Sequence, residues 1–512
     1  MKHEISWYLL RVKHDKYHRI ETYGTPCFAK TRRLAPERAR LVKSEFETLL
    51  RQGVLRPSKS NFSSALHVVP KKNGDIRPYG DYRALNSQTI LDRYSITNIQ
   101  DLTAHLGGTK IFSRLDLVKA FHQIPIHPDH IHKPAITTPF GLYEFTKLPD
   151  GLKNAAQSFQ RFIDNTIRGL PFVDAYIDDL LVASSDHEQH KVHLQQLCQR
   201  LCDHGLKINL AKCEFGRTTI DFLGHTISAN KIEPFTSKCS ALANFPRPRT
   251  QREFKRFLGM INYYNRFISN CASILSPLYA LVKPAKSGRP IKLQWTTDAE
   301  KAFNSARNQL TSKVSLALPQ ANAKTSIATD ASDSGLGAVL QQEIDNEWKP
   351  IAFFSKKLTA AESKYSAFDR ELLAVYSAIK HFRYFIEGRD FHIFSDHKPL
   401  TTVFSVNKSS YSPRQFRHID FISQFTTDIR YIKGTANTTA DALSGSVFAI
   451  KNSDAPVDYA KIAEDEVNDT ELKSLLNSPS LSFKQKKIRS ISCMSTFPQN
   501  SFVLIFLRNI DG

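Results

Sequence analysis

Apolar residues recur along this chain with two different periods, which predict a mixture of helices and strands. Residues 36–52 (PERARLVKSEFETLLRQ) place apolar side chains at helical spacing and stop at Gly53, which predicts an amphipathic helix. Residues 65–86 (ALHVVPKKNGDIRPYGDYRALN) predict two short strands around an Asn-Gly turn. The basic residues near that turn are Lys71, Lys72, Arg77 and Arg83. A basic hairpin tip is usually only solvated, but beside a catalytic carboxylate site it suits a triphosphate.

Two apolar stretches further along carry acidic residues. Residues 110–126 (KIFSRLDLVKAFHQIPI) predict a strand with Asp116 at its end, before a turn and a helix. Residues 175–184 (AYIDDLLVAS) predict a buried strand that contains Asp178 and Asp179. Buried carboxylates need a positive partner, because an unpaired one is costly and two adjacent ones repel. That partner is either a basic side chain or a metal ion, and the three aspartates offer the oxygen ligands that two Mg²⁺ ions need.

A linker-like segment, residues 244–270 (NFPRPRTQREFKRFLGMINYYNRFISN), follows these carboxylates. Its Pro-Arg start interrupts regular structure, and the spacing from Phe257 to Ile268 then predicts a helix. We expect this helix to pack between domains, with its basic face along a nucleic acid backbone.

The second half of the chain repeats the combination of strands and carboxylates. Residues 325–342 (TSIATDASDSGLGAVLQQ) predict two strands joined by a glycine-bearing turn. Residues 366–382 (SAFDRELLAVYSAIKHF) predict a helix with Glu371 beside its apolar stripe, where a carboxylate is more often a salt-bridge partner than a ligand. The predicted order is strand, strand, helix, strand, strand, helix. The carboxylates at its strand ends and helix edges are Asp330, Glu371, Asp396 and Asp441.

Composition narrows the class of protein. The 512 residues are enough for roughly three or four domains. Seventy Lys and Arg against 49 Asp and Glu give a net charge of +21, so a polyanion such as nucleic acid is the leading partner, and a merely basic surface is the alternative. No apolar run approaches the length of a membrane span, so we expect no membrane partner.

Cysteine and histidine usage favours neither a disulfide framework nor a zinc module. Seven cysteines without regular spacing favour a reducing compartment. One polar helix carries several candidate zinc ligands, but their spacing matches no compact zinc module, so we interpret them as a solvated helix face. These residues are His187, His190, His193, Cys198 and Cys202.

Six ordered blocks resemble one known family, the reverse transcriptase of Gypsy-class long-terminal-repeat retrotransposons. The blocks are FSSALHVVPKKNGDIRPYGDYRALN, FSRLDLVKAFHQI, TPFGLYEFTKLPDGLKNAAQSFQ, AYIDDLLVAS, GLKINLAKCEF and DFLGHTIS. The resemblance spans roughly residues 20–445. It identifies the chain as the reverse transcriptase and ribonuclease H region of a Pol polyprotein.

The resemblance implies a multidomain α+β and α/β chain, with a right-hand polymerase (fingers, palm, thumb), a connection segment and a ribonuclease H-like α/β domain. The implied divisions are an N-terminal extension (1–35), fingers and palm (36–235), thumb and connection (236–320), ribonuclease H-like domain (321–445) and spacer (446–512). The spacer is expected to be partly disordered. It contains no His and only Cys493, so the zinc module that opens an integrase is not visible, and we expect a piece of a longer polyprotein or an interrupted element.

The resemblance also assigns site residues. Two Mg²⁺ ions per active site, with Mn²⁺ as a substitute, are expected on seven carboxylates: Asp116, Asp178, Asp179, Asp330, Glu371, Asp396 and Asp441. The expected nucleotide contacts are Lys72, Arg77, Phe121, Asp150, Gly151 and Tyr176, and the primer-positioning turn is Phe222, Leu223 and Gly224. Asp150 departs from the family, which has Phe or Gln there, and its charge would repel a triphosphate or attract a metal.

The expected function is RNA- and DNA-directed DNA synthesis combined with ribonuclease H cleavage. The expected partners are an RNA template, a DNA primer, an RNA/DNA hybrid and deoxynucleoside triphosphates, with a second copy or the protease and integrase of the parent polyprotein as further partners. The expected location is a cytoplasmic virus-like particle or the nucleus. The alternative is an inactive relic that only binds nucleic acid; an aspartic protease at the Asp333-Ser-Gly sequence and a telomerase-like enzyme fit poorly.

Overall fold

The computed structural model describes residues 14–70, 76–99, 101–282, 293–309, 315–405 and 411–433, together with two strands near the end of the chain. The helices are α1 (Pro36–Arg51), α2 (Arg83–Gln88), α3 (Ala155–Ile167), α4 (His187–Asp203), α5 (Thr236–Ala243), α6 (Gln251–Tyr263), α7 (Cys271–Tyr279), α8 (Thr297–Gln309), α9 (Ala367–Ile386) and α10 (Pro413–Ser423). The strands are β1 (Leu55–Pro57), β2 (Ser64–Pro70), β3 (Ile76–Asp81), β4 (Ile111–Asp116), β5 (Ile136–Thr138), β6 (Gly141–Phe145), β7 (Val173–Tyr176), β8 (Asp179–Ser184), β9 (Glu214–Arg217), β10 (Thr219–Phe222), β11 (His225–Ser228), β12 (Lys231–Pro234), β13 (Leu316–Ala317), β14 (Thr325–Ala331), β15 (Gly335–Ile344), β16 (Glu347–Lys357), β17 (Phe391–Ser395), β18 (Ile429–Tyr431), β19 (Ser482–Ile488) and β20 (Ile491–Phe497).

Two sheets build the first half of the chain. A five-stranded sheet has the order β1-β6-β5-β2-β3, and a four-stranded sheet, here called the aspartate sheet, has the order β7-β8-β4-β9. Helices α3 and α4 pack on the aspartate sheet through apolar residues such as Phe159 and Leu197. The predicted helix at 36–52 is confirmed as α1, which begins with Pro36, a residue suited to the first helical turn.

A third sheet, with the order β10-β11-β12-β13, follows the aspartate sheet. Its last strand comes from residues 316–317, so the chain returns to this sheet after helices α5 to α8. Helix α6 starts with a capping box between Thr250 and Glu253, which the sequence analysis did not predict. The prediction extended this helix to Ile268, which is wrong because the helix ends at Tyr263 and a tighter 3₁₀ turn, Asn265–Phe267, follows.

The last sheet is mixed and has the order β16-β15-β14-β17-β18. Strand β14 runs antiparallel to β15 and parallel to β17, and α9 and α10 cover one face. The predicted order omitted β16, so the observed order is strand, strand, strand, helix, strand, helix, strand. Pro350 obscures the alternation of β16 because it lies opposite Gln341, where a bulge shifts the register.

One core of buried residues connects the aspartate sheet, the third sheet and the last sheet. It contains Phe112 of the aspartate sheet, Ile227 of the third sheet, Phe257 of α6, and Val339 and Phe353 on the face of the last sheet away from α9. We call it the shared core. Its packing is continuous across residues 235 and 320, where the sequence places domain boundaries, and those boundaries stay a prediction.

The chain divides into two compact units, Met1–Ser446 and Val447–Gly512. In the second unit β19 and β20 pair antiparallel, with Ser482 opposite Phe497. In the parts of the chain that the structure describes, no helix has the length and apolar character needed to cross a bilayer.

Candidate active sites

The two adjacent aspartates lie at a hairpin turn. The sequence predicted a single buried strand over residues 175–184, which is wrong because β7 ends at Tyr176 and β8 begins at Asp179. Ile177 makes the turn with a backbone φ of +57°, an uncommon conformation for a β-branched residue. The amide of Gln160 on α3 donates to the Ala175 carbonyl at 3.0 Å, and its oxygen accepts from the Ile177 N–H at 2.7 Å. Gln160 therefore holds the strained turn.

The pairing of β4 with β8 brings Asp116 next to this turn. Asp116 lies opposite Asp179 in the antiparallel register, and Asp178 precedes Asp179 in the chain. Burial raises the pKa of both Asp178 and Asp179, and the neighbouring carboxylates raise it further. The structure thus places the three aspartates that the sequence singled out at one end of the β4–β8 pair, although their oxygens do not all lie within 4.8 Å of one another.

The Asp116 carboxylate has only one positively charged neighbour within ion-pair distance among the described residues. Its Oδ2 lies 3.4 Å from the Lys212 ammonium, and this long contact is weakened by solvent because the lysine side chain is 66% exposed. Its Oδ1 is buried and has no hydrogen-bond partner among the described residues. An orphaned carboxylate oxygen beside two further carboxylates, all with hard oxygen donors, fits a divalent cation such as Mg²⁺.

Two of the residues expected to contact the nucleotide, Arg77 and Asp150, interact with each other. Arg77 on β3 is exposed and donates to the Tyr79 hydroxyl at 2.9 Å. The electrostatic neighbours of Asp150 are Arg77 and Asp178, and burial raises the pKa of Asp150 despite Arg77. Asp150 therefore interacts electrostatically with both Arg77 and Asp178. Lys72 lies outside the described residues.

The remaining nucleotide residues have ordinary packing contacts. Phe121 lies in the 3₁₀ turn Ala120–Gln123 and packs edge-on against Phe159, with ring centroids 5.7 Å apart. Gly151 has a φ of +95° and its carbonyl accepts from the Asn86 side chain at 2.9 Å. Tyr176 ends β7 opposite Asp179 and is half-buried.

A cleft of about 420 Å³ lies beside Gly151. It is lined by Arg32, His67, Gly80, Asp81, Tyr82, Arg83, Asn86 and Gly151. Arg32 and Arg83 both contact the Asp81 carboxylate, at 2.6 and 2.7 Å, and Arg83 lowers the pKa of Asp81. The cleft therefore carries two exposed arginines, and the Asp81 carboxylate between them offsets part of their positive charge.

The expected primer-positioning residues form a tight turn between β10 and β11. Phe222 is buried in the shared core, Leu223 has a φ of +45° and Gly224 a φ of +77°. Two tyrosines of the α6 end hold this turn: the Tyr263 hydroxyl donates to the Leu223 carbonyl, and the Tyr264 hydroxyl donates to the Gly224 carbonyl at 2.8 Å. The turn is therefore held in a strained conformation by α6.

A second carboxylate group lies at the edge of the last sheet. One oxygen from each of Asp330, Glu371 and Asp396 lies within 4.8 Å of the others, and no other such group of three occurs in the described part of the chain. Asp330 lies near the end of β14, Asp396 directly follows β17, and Glu371 comes from α9. Asp441, the fourth expected member, lies outside the described residues.

Glu371 is the buried member of this group. Its Oε1 accepts from the Ala331 amide at 3.1 Å, and its Oε2 is buried without a partner among the described residues. Burial, followed by Asp330 and Asp396, raises the pKa of Glu371 to about 8, and burial also raises the pKa of Asp330. The interpretation of Glu371 as a salt-bridge partner has no support, whereas a divalent cation fits the orphaned oxygen.

Sequence reasoning missed several residues around the first site. The prediction that these residues of α4 form a solvated face is wrong for His190, which is only 3% exposed and contacts the aspartate sheet. Gln160, Tyr263 and Tyr264 were also missed, because an isolated polar residue on an amphipathic helix carries no signal of its hydrogen-bond partner. The Asp-Ser-Gly sequence that begins at Asp333 lies in the turn between β14 and β15, and Asp333 pairs with Arg370 at 2.6 Å.

Comparison with known proteins identifies two protein families that match parts of this chain. Residues 69–227 match the family of reverse transcriptases (RNA-dependent DNA polymerases), and residues 295–393 match the RNase H-like domain found in reverse transcriptase. The Pol polyprotein from transposon 297 of Drosophila melanogaster is 36% identical over 83% of this chain. The Tf2-3 polyprotein of Schizosaccharomyces pombe is 32% identical over 87% of it. The chain spans only 40% and 34% of these relatives.

A solved structure has the same fold. The foamy viral protease-reverse transcriptase in complex with double-stranded DNA has a TM-score of 0.72 at 22% identity, over 82% of this chain and 74% of that one. The two family models place this chain among reverse transcriptases that carry an RNase H-like domain. More particularly, it corresponds to the reverse transcriptase and ribonuclease H region of a Gypsy-type retrotransposon Pol polyprotein, as the sequence blocks indicated.

Proposed function

We propose that this chain is an active RNA- and DNA-directed DNA polymerase with ribonuclease H activity. The observation that carries the proposal is the presence of two separate carboxylate groups, each with a buried oxygen that has no protein partner in the described structure: Asp116 Oδ1 and Glu371 Oε2. Leaving such oxygens unpaired is costly unless a cation completes the site. A relic that only binds nucleic acid would need neither group.

At the polymerase group, Asp116, Asp178 and Asp179 would hold Mg²⁺, with Mn²⁺ as a substitute. A cation bound there would lower the pKa of the primer 3′-hydroxyl and would stabilise the negative charge of the leaving pyrophosphate. The rigid turn of Leu223 and Gly224 positions the primer end, and Phe121 restricts the space beside the sugar, which favours deoxynucleotides. Arg77, with Lys72, contacts the triphosphate.

At the ribonuclease H group, Asp330, Glu371, Asp396 and Asp441 would hold the cations that would activate water for hydrolysis of the RNA strand of a hybrid. The net charge of +21 and the cleft beside Arg32 and Arg83 support binding of template, primer and hybrid through phosphate contacts. Within a parent polyprotein, protease and integrase would be further partners. We also propose the cytoplasmic particle or nucleus as the location.

The test uses two matched variants of the full chain. Asp178→Asn should abolish primer extension on an RNA template with Mg²⁺ and deoxynucleotides while leaving hybrid cleavage intact, and Asp396→Asn should do the reverse. Each variant is thus the folding control of the other. Extension by the Asp178 variant, or cleavage by a pure Asp396 variant, would exclude that metal assignment. Failure of the native chain in both assays, with hybrid binding retained, would favour the relic.

A further inference from the structure

Helix α4 carries a histidine that the proposed chemistry does not use. His190 is 3% exposed, although its chain neighbours Gln189 and Lys191 are exposed to solvent. Its Nε2 lies 2.6 Å from the Ser113 hydroxyl on β4, and its Nδ1 lies 2.8 Å from the Ser184 hydroxyl at the end of β8. The imidazole therefore connects the two central strands of the aspartate sheet through both ring nitrogens.

These contacts extend to two neighbouring groups. The Ser113 hydroxyl also accepts from the Gly216 amide of β9 at 2.9 Å. The Ser184 hydroxyl also lies 2.8 Å from Nδ1 of His193, whose ring stacks on Phe172 with centroids 3.7 Å apart. One helix thus contacts β9, β4 and β8 through a buried polar network in which each hydroxyl has two partners. Such networks specify one arrangement of their elements when all members are satisfied.

The two strands are the ones that carry the polymerase carboxylates. Ser113 lies three residues before Asp116 on β4, and Ser184 lies five residues after Asp179 on β8. Asp116 is opposite Asp179 at one end of this strand pair, and Ser184 is opposite Ile111 at the other end. A slip of one residue between the strands would move Asp116 to the wrong partner and reverse its face.

We propose that His190 is a positioning residue of the polymerase site, which holds β4 and β8 in the register that sets Asp116 beside Asp179. It touches none of the reacting groups and acts through Ser113 and Ser184. Mutual repulsion of the three carboxylates works against that arrangement, so a connection at the far end of the strands stabilises the register and prepares the site for cation binding. This inference rests on the proposed polymerase function of the aspartates.

The chain offers a matched control on the same helix. His187 lies in the preceding helical turn and is exposed, so His187→Phe makes the same chemical change without touching the sheet. His190→Phe keeps a ring of similar size but removes both hydrogen bonds. Since a full loss of the network can prevent folding, two milder variants are included. His190→Gln retains a polar atom near the Nε2 position, and His190→Asn retains one near the Nδ1 position.

The experiment measures Mn²⁺ binding to the polymerase group directly, by electron paramagnetic resonance, in full chains that also carry Asp396→Asn to weaken the second metal group. We expect His190→Phe to weaken Mn²⁺ binding roughly tenfold, His190→Gln and His190→Asn to have intermediate effects, and His187→Phe to have none. With Asp396 restored, hybrid cleavage by all four variants should stay within about twofold of the native chain.

The outcomes separate this proposal from the function on which it rests. Unchanged Mn²⁺ affinity in the His190 variants overturns it. Parallel losses of Mn²⁺ binding, hybrid cleavage and melting temperature also overturn it, because they show a purely structural role. If the native chain binds Mn²⁺ but does not extend a primer, the polymerase function fails, whereas weaker Mn²⁺ binding in His190→Phe still supports the positioning role.

Discussion

The side-chain oxygen of Gln160 accepts a hydrogen bond from the backbone amide of Ile177 at 2.7 Å. Gln160 is fully buried, and its amide also donates to the Ala175 carbonyl. The Gln160 side chain thus supplies the hydrogen bonds that a neighbouring strand would otherwise make with Ala175 and Ile177. A non-glycine residue at φ +57° is stable only where its surroundings hold it, and Gln160 provides that support.

We therefore expect Gln160→Leu to reduce primer extension tenfold or more and to leave hybrid cleavage nearly unchanged. The substitution leaves a buried amide and a buried carbonyl unpaired, each at about 1–3 kcal/mol, and the turn can relieve this by moving the two aspartates. Primer extension and hybrid cleavage on the same preparation measure the effect. Gln157→Leu is the matched control, since the Gln157 oxygen has no partner among the described residues. Equal losses from both variants would contradict the role of Gln160.

Asp150 should weaken nucleotide binding. Its carboxylate lies near Arg77 and Asp178, so it competes with a triphosphate for the arginine and adds repulsion. We expect Asp150→Phe to lower KM for deoxynucleotides about tenfold with little change in kcat. Asp150→Asn separates charge from shape and should give most of the gain. Extension only by the variants would mean that the native copy is disabled at this pocket, and an unchanged KM would mean that Asp150 does not face the nucleotide.

Metal-free stability should fall as the pH rises, in part because of Glu371. The folded pKa of about 8 lies above the ordinary value of 4.5, so the folded chain holds a proton that the unfolded chain releases between these values. This contribution to the free energy of unfolding is fully present in acid and is lost as the pH rises through about 8.

Melting curves in a chelator between about pH 5 and pH 9 test this expectation. The melting temperature of the native chain should decline across the range, and added Mg²⁺ should restore it at the alkaline end. In Glu371→Gln the decline should be clearly smaller, because the glutamine cannot ionise. An equally steep decline in that variant would assign the effect to other groups.

Hybrid affinity should depend steeply on salt. If about six phosphates are contacted, binding should weaken roughly a thousandfold between about 50 and 200 mM salt, because condensed counterions are released. Fluorescence anisotropy with a labelled hybrid gives the slope. Asp178→Asn removes no basic residue and should keep that slope, whereas Arg83→Ala should reduce it by about one phosphate contact. A flat response would contradict binding along the backbone.

Sequence patterns predicted the parts of the site that depend on strands and buried charge. Asp116 and Asp396 could be placed at strand ends because an apolar run before each one limits where the chain can turn. The turn at Ile177 could not be predicted, since β-branched residues favour strands and the support comes from Gln160, which is 17 residues away. His190 was misjudged because a histidine among polar neighbours gives no sign that the sheet of Ser113 covers it.

The shared core has a consequence for how retrotransposons of this type can diversify. Val339 and Phe353 of the last sheet pack into the same cluster as Phe112 and Phe257, which belong to the polymerase half. If the chain were divided near residue 320, each fragment would expose the apolar surface that packs against the other. We expect neither fragment to remain soluble alone. We therefore expect recombination between retrotransposons to exchange the two domains as a pair, or to join one domain only to a partner whose apolar surface matches.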